Sequence, residues 1–527
     1  MANHYDAIVI GGGHNGLVCA GYLAKAGRKV LVLERRPMVG GAAVTEELFP
    51  GFKFSACADG LGRLFPHIIH DLRLHKHGLP ALRLPADPVL AAPQPDGGCL
   101  TIWRYLNRTV EEIARFSKAD AARYPDFVAL MSKIASVVAG LMTMTPPNVP
   151  DLDRGDLLEL LKVAVPARKL SKKELHNVFR VLPMPISDLL DEWFESDALK
   201  AALAVDGING LSLGPRQAGT AYVWLTTIAS GHVGGFPDAG IIQGGMGALM
   251  QTIASAAGSF GAEIRTGVEV AQVIVKEGRA TGVALSGGEE VSASVVISNA
   301  DPRTTFLRLL DSQDVDSVFL RELGNIKYRG AAARVHLALE ALPAFSVDPT
   351  ALRGLIRIAP GINDLERASD DAKYGRFSRQ PCLDVTIPSL SDPALAPAGK
   401  HVLSIHAQYA PYHLRECNWA DQREALGEAV VHTLTPYAPN LQSLILHSRV
   451  LTPLDLETIY GLPEGSYSHG EMTLDQFLYM RPVPGWAQYR TPIRNLYLCG
   501  AGTHPGGGVT GVPGSNAARE VLKDWRP

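Results

Sequence analysis

The sequence predicts an α/β fold in which a discontinuous parallel-sheet domain is interleaved with a mixed α+β domain. Residues 5–34 read as strand, glycine-rich turn, helix and strand, and residues 243–300 read as a helix followed by a strand meander. Residues 496–500 are another short apolar run, followed by a glycine-rich loop and a helix expected from about Ser515. The sheet domain is therefore expected to take its pieces from the beginning, the middle and the end of the chain.

The first piece is a complete β-α-β unit. Residues 5–10 are a short apolar run that suits a buried parallel strand. After the glycine-rich turn, a stretch with helical periodicity stops at Gly27, and residues 29–33 form a second strand that ends at Glu34. This order is typical of a Rossmann-type domain.

The turn carries the spacing of a dinucleotide-binding motif. Gly11 permits the tight turn, Gly13 lets the backbone approach a pyrophosphate, and Gly16 allows close helix–strand packing. Asn15 lies inside the same turn, where the helix N-terminus offers free N–H groups to phosphates. Glu34, 21 residues after Gly13 and close to the expected spacing of about 20, can accept hydrogen bonds from ribose hydroxyls.

A second glycine pair indicates which dinucleotide is bound. Glu34 is followed by Arg35 and then by Gly40, Gly41 and Ala42. The spacing ExxxxxGG after the second strand is typical of FAD proteins, in which the glycines let the chain pass close to the cofactor. In isolation this pair would be an ordinary loop, but together with the first motif it favours FAD over NAD. Since no second full motif exists, electrons are expected to leave through a diffusible acceptor.

The C-terminal loop is a third candidate for cofactor contact. A strand ends near Gly500, glycines up to Gly511 crowd the loop, and a helix follows. Backbone N–H groups in such a loop can face the flavin and stabilise negative charge on it. His504 lies in this loop and is the candidate catalytic residue, for orienting substrate or transferring a proton. The alternative is a histidine that is hydrogen-bonded for loop structure.

The interior of the chain is expected to hold the substrate domain. Residues 105–230 are mostly helical, with breaks at prolines 146–150 and 183–185, and residues 310–490 mix strands and helices. The predicted division is FAD-binding segments at 1–100, 235–310 and 489–527, a helical substrate or membrane-contact region at 101–234, and a substrate domain at 311–488.

Two stretches of the helical region could touch a membrane. Residues 127–144 are strongly apolar, and either lie in a lipid interface or form a buried core helix, which we favour. Residues 162–173 carry basic side chains and no acidic one, which suits anionic headgroups or a solvated face; these are Lys162, Arg168, Lys169, Lys172 and Lys173.

Composition excludes several classes of protein. The chain has 527 residues and a formal charge of −3, so it has no global basic field for nucleic acid. Six widely spaced cysteines argue against a disulfide scaffold, a metal site and a dithiol centre. The first residues enter a strand without a secretory signal, and no uninterrupted apolar run is long enough to span a membrane. We therefore expect a cytoplasmic protein, with peripheral membrane contact left open.

Longer stretches of the sequence carry a family resemblance. VIGGGHNGLVCAGYLAKAGRKVLVLERRPMVGGAAVTEELFPGFKFS, VVISNADPRTT, AQYAPYHL, EMTLDQFLYMRPVPGWAQYRTPIRNLYLCGAGTHPGGGV and GSNAAREVL span nearly the whole chain. They resemble the carotenoid/retinoid oxidoreductase family, which includes phytoene desaturases, carotenoid isomerases and retinol saturase, and within it the subgroup named for a pyridine nucleotide-disulfide oxidoreductase domain. The cysteine pair that the subgroup's name suggests is absent.

The resemblance implies an amine-oxidase-type fold with bound FAD, and a mitochondrial location if the source is eukaryotic. It adds Val270, Gly502 and Val512 to the cofactor contacts, with the Val270 backbone against adenine. It also draws attention to Glu471, Asp475 and Arg481, which are either catalytic or, as we favour, a buried ion-pair network. Asp59 and Arg63 follow the second glycine motif and could face the cavity.

The predicted function is FAD-dependent hydride transfer on a small apolar, unsaturated, lipid or isoprenoid-like substrate, by desaturation or saturation. One alternative is a redox-neutral flavin-dependent isomerase that moves a double bond. The other is a non-catalytic flavoprotein scaffold that binds a protein partner, against which the intact glycine motifs count. The expected site is a long apolar tunnel without a charged anchor. The oligomeric state is left open, a homodimer included.

Overall fold

The computed structural model describes residues 4–58, 63–79, 83–85, 87–148, 152, 154–229, 232–233, 236–237 and 240–525. Its strands are β1 His4–Ile10, β2 Val30–Glu34, β3 Thr45–Phe49, β4 Phe52–Ser55, β5 Arg83–Pro85, β6 Leu90–Pro93, β7 Cys99–Ile102, β8 His232–Val233, β9 Phe236–Pro237, β10 Gly240–Ile242, β11 Glu263–Thr266, β12 Val270–Lys276, β13 Arg279–Leu285, β14 Glu290–Ser298, β15 Ala332–Leu339, β16 Leu355–Ile358, β17 Cys382–Thr386, β18 His401–Gln408, β19 Ile445–Leu451 and β20 Leu496–Leu498. Its helices are α1 His14–Lys25, α2 Pro66–Asp71, α3 Leu106–Ile113, α4 Lys118–Thr143, α5 Arg154–Ala167, α6 Lys172–Val181, α7 Ile186–Asp191, α8 Asp197–Ile208, α9 Thr220–Ala229, α10 Gly245–Ser259, α11 Pro302–Leu307, α12 Ser317–Gly324, α13 Ile362–Lys373, α14 Trp419–Leu434, α15 Leu441–Leu444, α16 Pro453–Tyr460 and α17 Val512–Asp524.

The first large sheet is built from the beginning, middle and end of the chain. Its strand order is β11-β2-β1-β14-β13-β12, with β20 beside β14. Strands β11, β2, β1, β14 and β20 run parallel, whereas β12 and β13 form an antiparallel extension. Helix α1 contacts α10 and α17. The predicted β-α-β unit and the strand meander are confirmed.

The second large sheet has one apolar and one polar face. Its order is β19-β15-β18-β17-β16-β6-β7. Because side chains alternate along a strand, one face packs into an apolar core with α14 while the other face can carry polar side chains. On the polar face the residues of one cross-strand row are directly opposed: Arg357, Asp384, His406 and Arg334.

Residues 105–230 are mostly helical, as predicted, and they contain one long apolar helix. Among the described helices, α4 is the one that is long and apolar enough to cross a membrane. A core helix buried in a globular protein can have the same length and composition. Phe127, Ile134 and Val138 of α4 are buried in the main core, where the Phe127 ring packs against Phe194. This burial supports the core-helix interpretation of residues 127–144.

The last helix begins earlier than predicted. α17 starts at Val512, not at about Ser515. Gly511 precedes it with a φ of 72°, and Pro513 occupies the first turn, where a missing backbone N–H costs nothing. The difference arises because a proline and a glycine in the first turn give it the composition of a loop.

Candidate active site

A cavity of about 860 Å³ is lined by residues of both large sheets, and it collects most of the predicted cofactor residues. This volume lies in the upper part of the range of about 300–1,000 Å³ typical of ligand sites. The predicted residues that line it are Gly11, Gly13, Asn15, Glu34, Arg35, Gly40, Gly41, Ala42 and Val270. The predicted residues outside its lining are Gly16, Gly500, Gly502, Gly511, Val512 and His504.

The first glycine motif has the geometry that its spacing predicts. Gly11 has a φ of 94°, which a side chain would oppose. A Cβ on Gly16 would lie 2.2 Å from the carbonyl oxygen of Gly11, so only glycine lets α1 pack this close to β1. A Cβ on Gly13 would lie 2.8 Å from Nδ2 of Asn299. The motif therefore lets the start of α1 pack against the end of β1, and it leaves this part of the cavity wall without side chains.

Glu34 is held in place by backbone N–H groups. Its Oε2 accepts a hydrogen bond from the Gly12 N–H at 2.7 Å, and its Oε1 accepts one from the Arg36 N–H at 2.9 Å. The Val268 N–H donates to the Glu34 carbonyl oxygen at 2.9 Å, which brings the segment leading to Val270 alongside. Each carboxylate oxygen keeps acceptor capacity toward the cavity.

The second glycine pair packs directly on the first motif. The Gly40 N–H donates to the Gly12 carbonyl oxygen at 2.8 Å, and Gly40 and Gly41 have φ values of 125° and 60°. A Cβ on Gly41 would lie 3.4 Å from Cα of Gly13. The two motifs thus form one surface, although they are separated in sequence.

Near the two glycine motifs, hydrogen-bond donors and acceptors that have no protein partner fit the expected FAD. Helix α1 has no side-chain cap and no acidic residue in its first turn, so its N-terminal N–H groups are available to a pyrophosphate. Within the described chain, Oδ1 of Asn15 and Oδ2 of Asp301 are buried without a hydrogen-bond partner, and both residues line the cavity. Such acceptors suit the hydroxyl and ring N–H donors of a flavin dinucleotide.

The C-terminal loop forms part of the cavity wall, and its predicted glycines pack against the residues beneath it. A Cβ on Gly502 would lie 2.3 Å from Cδ of Pro302, and one on Gly500 would lie 2.7 Å from the Asn299 carbonyl oxygen. Gly511 packs on Ile68, and Val512 is fully buried. The loop residues that do line the cavity are Ala501, Pro505, Gly507, Gly508, Val509 and Thr510.

His504 points away from the cavity. Its Nε2 lies 2.8 Å from the Leu141 carbonyl oxygen of α4, and its own carbonyl oxygen accepts from the Tyr489 hydroxyl at 2.8 Å. Burial is the main cause that lowers the pKa of His504 to about 4, so the ring is neutral at physiological pH. These contacts are those of a histidine that ties the loop to α4, the second of the two interpretations.

The expected ion-pair network among Glu471, Asp475 and Arg481 is wrong. Within the described residues none of these side chains forms a salt bridge: Asp475 is exposed, and Glu471 accepts from the Ser212 N–H at 2.7 Å. Arg481 donates to backbone carbonyl oxygens, including that of Ala501 at 2.9 Å. Backbone groups brace this region because the loops bury both Glu471 and Arg481 among peptide groups. Asp59 lies outside the described residues.

A buried charged cluster that includes two residues of the second large sheet also lines the cavity and was not predicted. Arg357 donates to Asp384 Oδ1 at 2.7 Å and to Asp206 Oδ2 at 3.1 Å, and all three residues line the cavity. Arg63, which was expected to face the cavity, lines it beside them. The sequence feature that could have indicated this cluster is the single charged residue within each of the largely apolar strands β16 and β17.

Two cavity histidines were also missed. His14, the first residue of α1, places Nε2 3.1 Å from the Gly508 carbonyl oxygen, and burial lowers its pKa to about 4. His469 has a φ of 52°, and burial lowers its pKa as well. His14 lies inside the first glycine motif, so its position could have been inferred from the sequence.

Comparisons with known proteins agree with this geometry. A family model described as flavin containing amine oxidoreductase matches residues 16–522. Pyridine nucleotide-disulfide oxidoreductase domain-containing protein 2 of Rattus norvegicus is 40% identical, over 99% of this chain and 94% of that protein. A limonene dehydrogenase subunit of Castellaniella defragrans is 29% identical over 98% and 94%, and the neurosporene-forming phytoene desaturase of Cereibacter sphaeroides is 26% identical over 99% and 94%.

Solved structures share the fold. An oxidoreductase from Methanosarcina mazei superposes with a TM-score of 0.62 at 18% identity, covering 98% of this chain and 99% of that one. The amine-oxidase-type architecture expected from the sequence is confirmed.

Proposed function

The chain belongs to the flavin-containing amine oxidoreductase family and is a FAD-dependent oxidoreductase, and we propose that it desaturates or saturates a carbon–carbon bond in a largely apolar, unsaturated lipid. The residues of the two glycine motifs, with Glu34 and the start of α1, would hold the cofactor. Bound FAD supplies a hydride acceptor or donor, which suits chemistry at carbon centres that lack a leaving group.

The apolar wall of the cavity carries this proposal. Beyond the glycine motifs, apolar side chains from several elements line the cavity alongside polar ones, namely Val89, Leu90, Met142, Leu211, Val223, Leu355, Met472 and Val509. Apolar walls bind a hydrocarbon chain by removing it from water and leave the position of the reacting bond to shape. The names of two relatives, a limonene dehydrogenase subunit and a phytoene desaturase, support the same substrate class.

The chain's own residues position the substrate and exclude water. Met142 comes from α4 and Val223 from α9, while Leu355 begins β16 of the second sheet. A substrate held between these elements is enclosed by side chains that cannot compete for protons. His14 is a cavity-lining imidazole within the first glycine motif, and its depressed pKa keeps it neutral, so it can accept a hydrogen bond but is a weak base at neutral pH.

The test is an anaerobic titration of the purified holoprotein. Limonene, geranylgeraniol and a phytoene-like polyene are added separately while the visible flavin bands are recorded, first with oxidised protein and then with dithionite-reduced protein. Desaturation bleaches the oxidised bands and lowers the product mass by two hydrogens. Saturation restores the bands of the reduced protein and raises the product mass by the same amount.

Other outcomes identify the alternatives. A product of unchanged mass with a displaced double bond, formed only by the reduced protein, indicates the redox-neutral isomerase. A purified protein that lacks flavin and does not take up added FAD contradicts the enzymatic proposal and leaves the scaffold. Bleaching by small amines but by no lipid would assign the chemistry to amine oxidation instead.

We also propose that the protein docks on an anionic lipid surface through α5 and α6. On α5 the side chains of Leu157, Leu158, Leu161 and Val165, hereafter the leucine face, are 57%, 66%, 47% and 56% exposed. On α6 the exposed fraction of Phe179 is 70%. The basic residues Arg168, Lys169, Lys172 and Lys173 border this surface and are exposed. Exposed apolar side chains beside cations suit the interface of an anionic bilayer, from which an apolar substrate could enter.

A further inference from the structure

The guanidinium group of Arg63 lines the cavity without a protein partner among the described residues. Arg35 and Arg308 also line the cavity without a described side-chain partner, but both are exposed, whereas Arg63 is half-buried. Arg63 lies between β4 and α2, lines the cavity, and is only partly exposed. Among the residues that the structure describes, its side chain makes no hydrogen bond and no ion pair. An arginine carries five N–H donors, and burial of the guanidinium lowers the pKa of Arg63 because it disfavours the charged form. No described protein group offsets this cost by accepting a hydrogen bond from Arg63.

The neighbouring carboxylates are already engaged by another arginine. Arg357 donates to both oxygens of Asp384, at 2.7 and 2.8 Å, and to both oxygens of Asp206, at 3.1 and 3.3 Å. Its remaining donor reaches the Ala202 carbonyl oxygen at 2.7 Å. All donors of Arg357 are thus satisfied, and its two carboxylates are bound in fork geometry.

Arg63 consequently interacts with this cluster only through space. The charges of Asp206 and Asp384 favour its cationic form, while burial and the charge of Arg357 oppose it and together lower its pKa. One arginine shared by two aspartates leaves a single negative charge, which Arg63 balances. Its charge is compensated at a distance, but its donors remain unused, and they face the cavity.

The ligand that satisfies these donors must bring its own acceptors. A carboxylate matches the planar fork of a guanidinium with two parallel hydrogen bonds, whereas an alcohol or ester oxygen can occupy only part of it. The apolar walls at Leu211, Val223 and Leu355 line the same cavity. Acceptors are therefore needed beside Arg63, while these apolar side chains of the same cavity suit a hydrocarbon chain.

We propose that Arg63 binds the carboxylate of an amphipathic substrate, a fatty-acid-like or isoprenoid acid, whose apolar chain runs along the cavity toward the flavin-binding end. This inference rests on the proposed function, since it specifies the head group of the same lipid substrate. It replaces the expectation of a tunnel without a charged anchor. Arg63 then sets specificity by head group, while the apolar walls select the chain.

The test measures binding through the visible absorption spectrum of the oxidised holoprotein, which responds to occupation of the cavity. Oleate, methyl oleate and oleyl alcohol are titrated below the concentrations at which they aggregate. Wild-type protein is expected to bind oleate at least about tenfold tighter than either neutral analogue, as for a charge-assisted pair. Arg63→Met should remove this preference, and Arg63→Lys should retain part of it because the charge remains.

Arg449→Met is the matched control, since Arg449 is exposed on strand β19 of the same sheet as Arg357, and it should keep the wild-type preference. Equal binding of oleate and methyl oleate by wild type, or a preference that survives Arg63→Met, overturns the inference and leaves the proposed function intact. Failure of all three lipids to perturb the spectrum also overturns the inference, while the titrations with limonene, geranylgeraniol and the polyene decide the proposed function separately. If Arg63→Met loses its flavin, the Arg63→Lys variant and the wild-type comparison of acid with ester decide the question.

Discussion

Gly16 and Gly11 are packed so closely that a methyl group on Gly16 would lie 2.2 Å from the carbonyl oxygen of Gly11. The contact joins the first turn of α1 to the end of β1, where the two glycine motifs form one surface. The same methyl group would approach the Asn299 side chain to 3.2 Å, so it has no free direction in which to move. The closeness of this packing decides whether the cofactor surface can form.

Gly16→Ala should therefore destabilise the protein by about 1–3 kcal/mol, as overpacking does, and should reduce flavin content. The measurement is the ratio of flavin to protein absorbance together with the melting temperature. Gly258→Ala is the control, because a Cβ there meets no atom within 4 Å and the residue lies within helix α10. It should be neutral or stabilising by up to about 1 kcal/mol. Equal losses in both variants would mean that the contact is unimportant.

The buried charged cluster of Arg357, Asp206 and Asp384 predicts that removing the arginine lowers stability strongly, and that removing the aspartates as well restores much of it. Arg357→Met leaves Asp206 and Asp384 buried without the cation that donates hydrogen bonds to them and should cost about 3–5 kcal/mol in the free energy of unfolding. Adding Asp206→Leu and Asp384→Leu should recover much of this, since an apolar cluster of similar volume is tolerated. Urea unfolding of wild type, the single variant and the triple variant measures the effect.

The control for the cluster is an exposed pair of similar geometry. Arg180 donates to both carboxylate oxygens of Glu192, at 2.6 and 2.7 Å, but its side chain is 50% exposed. Arg180→Met should cost less than about 1 kcal/mol. A cost for Arg357→Met no larger than that of Arg180→Met would contradict the role assigned to burial.

The leucine face predicts binding to anionic vesicles. Wild-type protein should sediment with vesicles of phosphatidylcholine and phosphatidylglycerol but weakly with phosphatidylcholine alone. Lys172→Gln should weaken binding about fivefold, as expected for about 1 kcal/mol per basic residue, and Leu158→Gln should weaken it at all salt concentrations. Leu307→Gln, at a site of 52% exposure on α11, should have no effect. Unchanged sedimentation of Leu158→Gln would exclude this surface as the docking site.

The buried neutral histidines predict acid sensitivity. The folded-state pKa of His504 is lowered to about 4 from an ordinary value of 6.5, chiefly by burial. The unfolded chain therefore binds more protons between these values, and stability falls as pH decreases from about 6.5 to about 4. The loss attributable to one such histidine approaches about 3 kcal/mol at the lower limit.

His504→Gln keeps a side-chain N–H for the Leu141 carbonyl oxygen but cannot be protonated. Its free energy of unfolding should therefore depend less steeply on pH, by up to one proton between pH 6.5 and 4. Urea titrations at several pH values measure the slope. A slope identical to that of wild type would show that His504 does not contribute, and would leave His14, whose pKa is also lowered to about 4, as the group to examine.

The local parts of the site were predictable, and the long-range parts were not. Gly11, Gly16 and Glu34 act within one β-α-β unit, where spacing alone determines their relation. The partner of His504 lies 363 positions away in α4, and no local pattern encodes it. Likewise Arg63 and Asp206 line the same cavity only because separate segments fold onto it. The sequence could mark them as charged residues in apolar surroundings, but it could not pair them.

The order of strands in the first sheet has a consequence for biosynthesis. β1 pairs with β14, and β14 pairs with β20, so the sheet closes only when residues near position 498 have emerged from the ribosome. Until then residues 296–298 of β14 lack their partner strand β20, and the loop of residues 500–511 is absent from the wall of the cavity. The cofactor surface that the structure shows is therefore complete only after the last strand and this loop have been synthesised.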